Sequence, residues 1–331
     1  MRAKLSRREF LRKTVVGGVA ISGVAGVGKA VATALEAVSS ADTPKSRIVS
    51  ATDSKVFTAG GEINQGVLQT MLGKSVAKLV GTKSGAAAWK KLFRPDDVVG
   101  IKVNCLFTKG ACTHTDVTNA VVAGLLMAGV KPENIIIWDR GTSDLIKAGY
   151  IINKDGAGPR CYGVDGDWAG EYTFGEFKGR LAKILTERIT ALVNVPILKH
   201  HGMSGISCAL KNHYGSIDDP SSCHGGGCNP YLGDLNAVGP IKEKTRLVVV
   251  DALRPFADGG PGFNSKTVWD YCTMLLSRDP VAVDYTGWRI IEEKRASLGL
   301  RALDQPGRWL ATAGRNGVGL SDPDRIELLK V

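Results

Sequence analysis

The features that would name a function at once are missing from this sequence. Its seven cysteines never form the C-x2-C-x2-C-x3-C-P run of a bacterial iron–sulfur protein or the paired C-x2-C doublets of a zinc finger. No H-E-x-x-H or G-x-S-x-G occurs, and no G-x-G-x-x-G in a strand–turn–helix setting, so the familiar metalloprotease, serine hydrolase and dinucleotide readings are excluded. No uncharged stretch reaches the roughly 20 apolar residues of a membrane span; the longest, Thr14 to Gly28, is 15 residues. Lysine and arginine are plentiful but nowhere form a basic block, which excludes a nucleic-acid-binding face. What remains is an ordinary globular composition, 44% hydrophobic and 23% charged.

The first informative stretch is Ser6-Arg7-Arg8-Glu9-Phe10-Leu11-Arg12-Lys13. It resembles the twin-arginine export signal, S-R-R-x-F-L-K, with Arg12 where lysine is commonest. A glycine-diluted apolar run follows, and Ser39-Ser40-Ala41 offers small residues for a signal peptidase, so cleavage is expected after Ala41. The resemblance implies a periplasmic protein that meets the twin-arginine translocase during export, folds first, and keeps no membrane span afterwards. Within this segment Gly23 to Lys29 imitates a phosphate-binding loop, but Ala30 stands where Ser or Thr is required and no strand precedes it. Residues 1–41 carry seven Lys/Arg against Glu9 and Glu36, a net of +5, which leaves +6 of the chain's +11 for the remainder. That surface suits an anionic small molecule or a lipid headgroup layer.

Residues 42–331 read as a single α/β domain with a mostly parallel sheet, flanking helices and elaborated loops. Strands are expected at 47–50, 98–104, 134–139, 190–196 and 245–251, from their β-branched, nearly unbroken apolar runs. Helices are expected at 62–93, 117–128, 181–189, 204–214 and 281–296 from apolar spacing, the third-last and last bounded by strand and Asp279-Pro280 signals. Glycine-rich polar segments at 153–179 and 215–233 are expected to be functional loops.

Polar residues cluster where these strands end: Lys102 and Asn104, Asp139 and Arg140, Asn194 and Lys199, and Asp251. Parallel α/β sheets bind ligands outside the carboxyl ends of their strands, although any one such residue could equally cap the next turn. Four of the five histidines lie between 200 and 224. Neighbours in an extended segment point opposite ways, so only one of His200 and His201 can face a site, and His201 is favoured. His114, His201, His224, Cys223 and Cys228 are the candidate ligands for Zn, Fe, Ni or Cu; a Cys223–Cys228 disulfide is the structural alternative. Lys102, Lys199 and Lys211 suggest either an anion site or a lysine of depressed pKa acting as base or Schiff-base former.

Taken in order, Val99-Gly-Ile-Lys-Val-Asn104, Asn194-Val-Pro-Ile-Leu-Lys-His-His201, Ala209-Leu-Lys-Asn-His-Tyr-Gly215, Val249-Val-Asp-Ala252 and Ser277-Arg-Asp-Pro-Val-Ala-Val-Asp284 resemble the domain-of-unknown-function family 362 over about residues 98–290. The resemblance implies functional positions at Lys102, Asn104, Asn194, Lys199, His201, Lys211, Asn212, Asp251, Asp279 and Asp284. Iron–sulfur clusters in that family travel with fused ferredoxin segments, and this chain has none.

The sequence therefore leads to an exported, metal- or cofactor-dependent enzyme, with oxidoreductase chemistry as one class, acting on a small anionic substrate. Its expected catalytic groups are Lys102, Lys199, His201, Lys211, Asp251 and Asp284; Asn104, Asp139, Asn194 and Asn212 are expected to bind substrate or cofactor. The alternatives are a non-catalytic cofactor-binding or maturation protein, and a scaffold with paired cysteines. Asp284 falls inside an apolar helix pattern, where a buried carboxylate needs a partner; a lysine is the expected one.

Overall fold

The computed structural model describes residues 45–107 and 109–331; the expected export signal lies outside them. The strongest apolar runs form the middle of one eight-stranded sheet. Its parallel block comprises β2 (Val99–Val103), β3 (Ile135–Asp139), β4 (Arg160–Gly163), β7 (Ala191–Val195) and β10 (Thr245–Ala252). β1 (Ser46–Thr52), β11 (Thr273–Ser277) and β12 (Ile326–Lys330) complete it in the order β12-β1-β11-β10-β7-β2-β3-β4. Only β11 runs against the rest, pairing antiparallel with both β1 and β10. The fold is thus α/β with a mostly parallel sheet.

Side-chain alternation divides the core between two faces. Ile135 and Ile137 join the layer formed with α1 (Gln65–Val80), α2 (Gly85–Leu92) and α3 (Thr115–Ala128). Ile136 and Trp138 join the opposite layer, with α8 (Pro280–Ser297) and α9 (Gln305–Arg315). Close helix packing on the first face depends on Gly124, where a Cβ would sit 2.1 Å from the Trp89 ring. Shorter helices α4 (Thr142–Ala148), α5 (Ala209–Asn212), α6 (Tyr231–Ala237) and α7 (Gly239–Lys244) join the remaining elements.

Strand order sets the ligand edge. From β2 the chain proceeds outward through β3 and β4, then returns to place β7 and β10 on the other side of β2. β2 and β7 are therefore parallel neighbours whose following segments diverge, the arrangement that opens a crevice at a sheet's carboxyl edge. After β7 comes a two-stranded hairpin, β8 (Lys199–His201) with β9 (Gly205–Ser207), where a helix is expected from sequence over 204–214. Gly205 at φ +82° makes the turn into β9, and α5 keeps only four residues of the expected helix, Ala209–Asn212.

Two other expectations change. The 62–93 helix is two helices, because Gly81 at φ +69° ends α1 and the Ser84 side chain caps α2 through the Ala87 amide. The 181–189 helix is instead the end of β6 (Phe177–Ala182), a strand paired with β5 (Trp168–Phe174), followed by the single π-turn Ile184–Arg188. This hairpin occupies part of the segment expected to be loop. Among the described residues no helix is long and apolar enough to cross a membrane.

Candidate functional site

A cavity of about 250 Å³ opens at the carboxyl edge of β2, β3 and the β8–β9 hairpin. Eight expected site residues line it: Lys102, Asn104, Asp139, Lys199, His201, Lys211, Asn212 and His224. Its outer wall is apolar, with Leu106, Phe107 and Met203 all substantially exposed.

The floor is a closed polar network. Lys102 Nζ, wholly buried, donates to Asp139 Oδ1 at 2.6 Å, to the Val103 carbonyl at 2.7 Å and to Asn212 Oδ1 at 3.2 Å. Asp139 also accepts the amides of Cys105 and Arg140. Asn212 donates to the Lys102 carbonyl and to Asn194 Oδ1, whose own amide donates to the Ala209 carbonyl. All three donors of the Lys102 ammonium thus have acceptors, and β2, β3, β7 and α5 are tied together beneath the cavity. A buried pair of this kind holds geometry more than it adds stability. Gly215 completes the fit: a Cβ there would lie 2.5 Å from Asp139 Oδ1 and 2.6 Å from Lys102 Nζ.

The other two lysines are in a different condition. Lys199 Nζ, 1% exposed, donates to the Ala111 carbonyl at 2.7 Å and Asn104 Oδ1 at 3.2 Å. Lys211 Nζ lies 3.3 Å from the Tyr214 ring centroid and 3.0 Å from His224 Nε2. Neither ammonium makes a salt bridge among the described residues. Burial without a counter-charge disfavours the cation. It lowers Lys199 to about 8 and Lys211 to about 7, the Lys199 charge adding to the second shift.

The hairpin places Lys199 and His201 on one face, two residues apart, and turns His200 away to accept the Gly260 amide at its Nδ1. His201 Nδ1 faces the amides of Met203 (3.2 Å) and Ser204 (3.3 Å). That nitrogen is an acceptor, so the ring proton is carried on Nε2. Burial, reinforced by Lys211, lowers His201 to about 2 and keeps it neutral. His224 is also held below its ordinary value, by burial and then by Lys211. Its ring stacks 5.8 Å from that of His201.

The expected metal set does not assemble. His114 faces a separate, open cavity of about 940 Å³, and its Nδ1 contacts Asp251 Oδ2 at 2.7 Å. Burial works against the His114 cation, but the Asp251 carboxylate outweighs it and the net pKa shift is upward. The lone pair of His201 Nδ1 is taken by two amides, and His224 Nε2 faces an ammonium. Cys223 and Cys228 are both thiols rather than a disulfide, and burial pushes both away from the thiolate form that metals require. Among the described residues no three His, Cys, Asp or Glu side chains could together hold a metal ion. These donors do not fit one.

Three further expected site residues act at a distance from the cavity. Asp251 holds His114 and the Leu253 amide. Asn194 is part of the network beneath the floor. Asp284, fully buried, has no lysine partner among the described residues; its oxygens accept the Ala209 amide at 2.7 Å and the Leu210 amide at 3.0 Å, anchoring the turn that carries Lys211. Asp279, in turn, caps α8 through the Val281 and Ala282 amides. Tyr214 and the apolar wall were not expected. Tyr214 sits beside the expected Lys211-Asn212 pair, but nothing in sequence spacing says that its ring lies against an ammonium.

Comparison with known proteins places this constellation in a family. The chain belongs to the family described as Domain of unknown function (DUF362), whose model matches residues 99–289. The match spans the cavity-lining residues from Lys102 to His224. A crystal structure of a Thermotoga maritima protein is similar at a TM-score of 0.43 and 14% identity, covering 72% of this chain and 60% of that one. No curated protein matches.

Proposed function

We propose that this protein is an exported enzyme acting on a small anionic substrate that carries an apolar group. The observation that carries the reading is the pair Lys199 and Lys211, two buried ammonium groups on one cavity with no carboxylate partner among the described residues. Asp139 is occupied by Lys102, so Lys199, Lys211 and Arg140 stand against Asp144 alone among the charged groups lining the cavity. An entering anion supplies the missing counter-charge. Leu106, Phe107, Met203 and Pro261 offer an apolar surface to the rest of the molecule.

In this reading Lys199 and Asn104 seat the anion and His201 donates from Nε2. Lys211 and His224 exchange a proton, since two cations 3.0 Å apart are not both stable. The Lys211–His224 pair favours turnover over simple escort of a ligand. The twin-arginine stretch at Arg7 and Arg8 supports export.

Calorimetric titration with aryl and branched-alkyl carboxylates tests the site. Lys199→Gln is expected to weaken the best ligand by about tenfold or more, equivalent to about 1.4 kcal/mol. Equal affinity of the native protein and a Lys199→Gln/Lys211→Met variant for every carboxylate would remove the reading. Fractionation of cells tests export: Arg7→Lys with Arg8→Lys should leave the precursor in the cytoplasm, and normal export of that variant would contradict it.

A further inference from the structure

We propose that Lys211 forms a Schiff base with its substrate, and that the substrate class is a 2-oxo acid with an apolar side chain. This rests on reading the cavity as an anion site and names the reaction that its inner wall supports. Lys211 is 7% exposed and lines the cavity. Its nitrogen has the Tyr214 face on one side and His224 Nε2 within hydrogen-bond distance at 3.0 Å. An ammonium in this position can pass a proton to a neutral imidazole and become a nucleophilic amine. Lys199 stands on the same cavity as a second cation, and a 2-oxo acid presents a carboxylate directly beside its carbonyl. His201, with its proton fixed on Nε2 by the Met203 and Ser204 amides, is a neutral donor suited to a carbonyl oxygen.

The chemistry balances without another reactant. His224 takes one proton from the Lys211 ammonium, and the nitrogen lone pair forms a bond to the carbonyl carbon. The carbonyl oxygen, held by His201, gains protons as the carbinolamine forms and leaves as water. Of the three ammonium protons, two depart with that water and one stays on the iminium nitrogen. The positive charge is conserved. Desolvation favours the free amine near neutral pH, and the nearby Lys199 charge works in the same direction. Facing groups that modulate it are His201, His224, Tyr214 and the Cys223 and Cys228 thiols.

The test is reduction of the full-length protein with borohydride in the presence of phenylpyruvate, followed by mass mapping of peptides. The expected result is one secondary-amine adduct per chain, on Lys211, suppressed by excess phenyllactate, which has the carboxylate but no carbonyl. Lys211→Arg should abolish it. Lys199→Gln should lower the yield with phenylpyruvate by about tenfold or more, and by clearly more than it lowers the yield with neutral benzaldehyde, which feels only the lost charge beside Lys211. Adduct yield should rise with pH through about 7, as Lys211 loses its proton, and fall beyond about 8, as Lys199 loses its own. No adduct with either carbonyl probe, or adducts scattered over surface lysines, overturns the Schiff base. If phenyllactate still binds with dependence on Lys199, the anion site survives that failure. If phenyllactate does not bind either, both readings fall together.

Discussion

Lys102 and Lys211 face the same cavity, yet the first meets three oxygen acceptors and the second an aromatic ring and an imidazole. The sequence shows both as strand-end or helix-end lysines in recognisable motifs and gives no sign of this difference. Partners decide it, and partners come from distant segments: Asp139 from β3 for Lys102, His224 from a loop for Lys211. Gly215 is the residue that makes the first arrangement fit. Gly215→Ala is expected to destabilise the protein by about 1–3 kcal/mol, because the added methyl meets the Lys102–Asp139 pair. Gly73→Ala in α1 supplies the opposite sign: nothing lies within 4 Å of its added Cβ, and removing helix-interior glycine should stabilise by about 0.5–1 kcal/mol. Urea unfolding midpoints check the pair, and similar shifts for both would contradict the steric account.

Elements were legible where burial was two-sided. β2, β3, β7 and β10 follow from unbroken β-branched runs, and α8 from Asp279-Pro280 with the carboxylate bonded to the Val281 and Ala282 amides. Elements failed where apolar spacing was short and a turn residue decided the outcome, as at Gly81 and Gly205. The β8–β9 hairpin matters most, because alternation within three residues selects Lys199 and His201 over His200. At α5 the decisive contact is tertiary: Asp284, on α8, holds the Ala209 and Leu210 amides. Burial pushes its carboxyl up to about 7 from 3.8, against the backbone amides that favour the carboxylate. An acid whose folded pKa is raised stabilises at low pH and loses that contribution as pH rises through the folded value. Cys208 and Asp279 are the groups that act on it besides those amides. Asp284→Asn should therefore flatten the decline in stability between about pH 4 and pH 7. It should also cost about 1–3 kcal/mol, since one amide loses its acceptor. Thermal unfolding across that range is the measurement; an unchanged slope would show that another group sets it.

At the scale of the molecule, topology explains why the site forms where it does. Chain order β2, β3, β4 on one side and β7, β10 on the other leaves the β2–β7 junction as the place where connections part. The sequence could supply the list of strand-end polar residues but not their division among sites. Most of the list converges on one cavity, while His114 and Asp251 pair at another and Asp284 lies behind α5. A metal centre assembled from His and Cys on neighbouring loops is not what results. The edge instead carries uncompensated positive charge, in a chain whose remaining surplus is modest once the first 41 residues are set apart.

Lysine-selective nitrogen NMR, with Lys199 and Lys211 assigned by single substitutions, tests that claim most directly. The account predicts side-chain titrations near about 8 for Lys199 and about 7 for Lys211, both moving upward when a carboxylate ligand saturates the cavity. Titration of both near the ordinary lysine value of about 10.4, unmoved by any carboxylate, would contradict it.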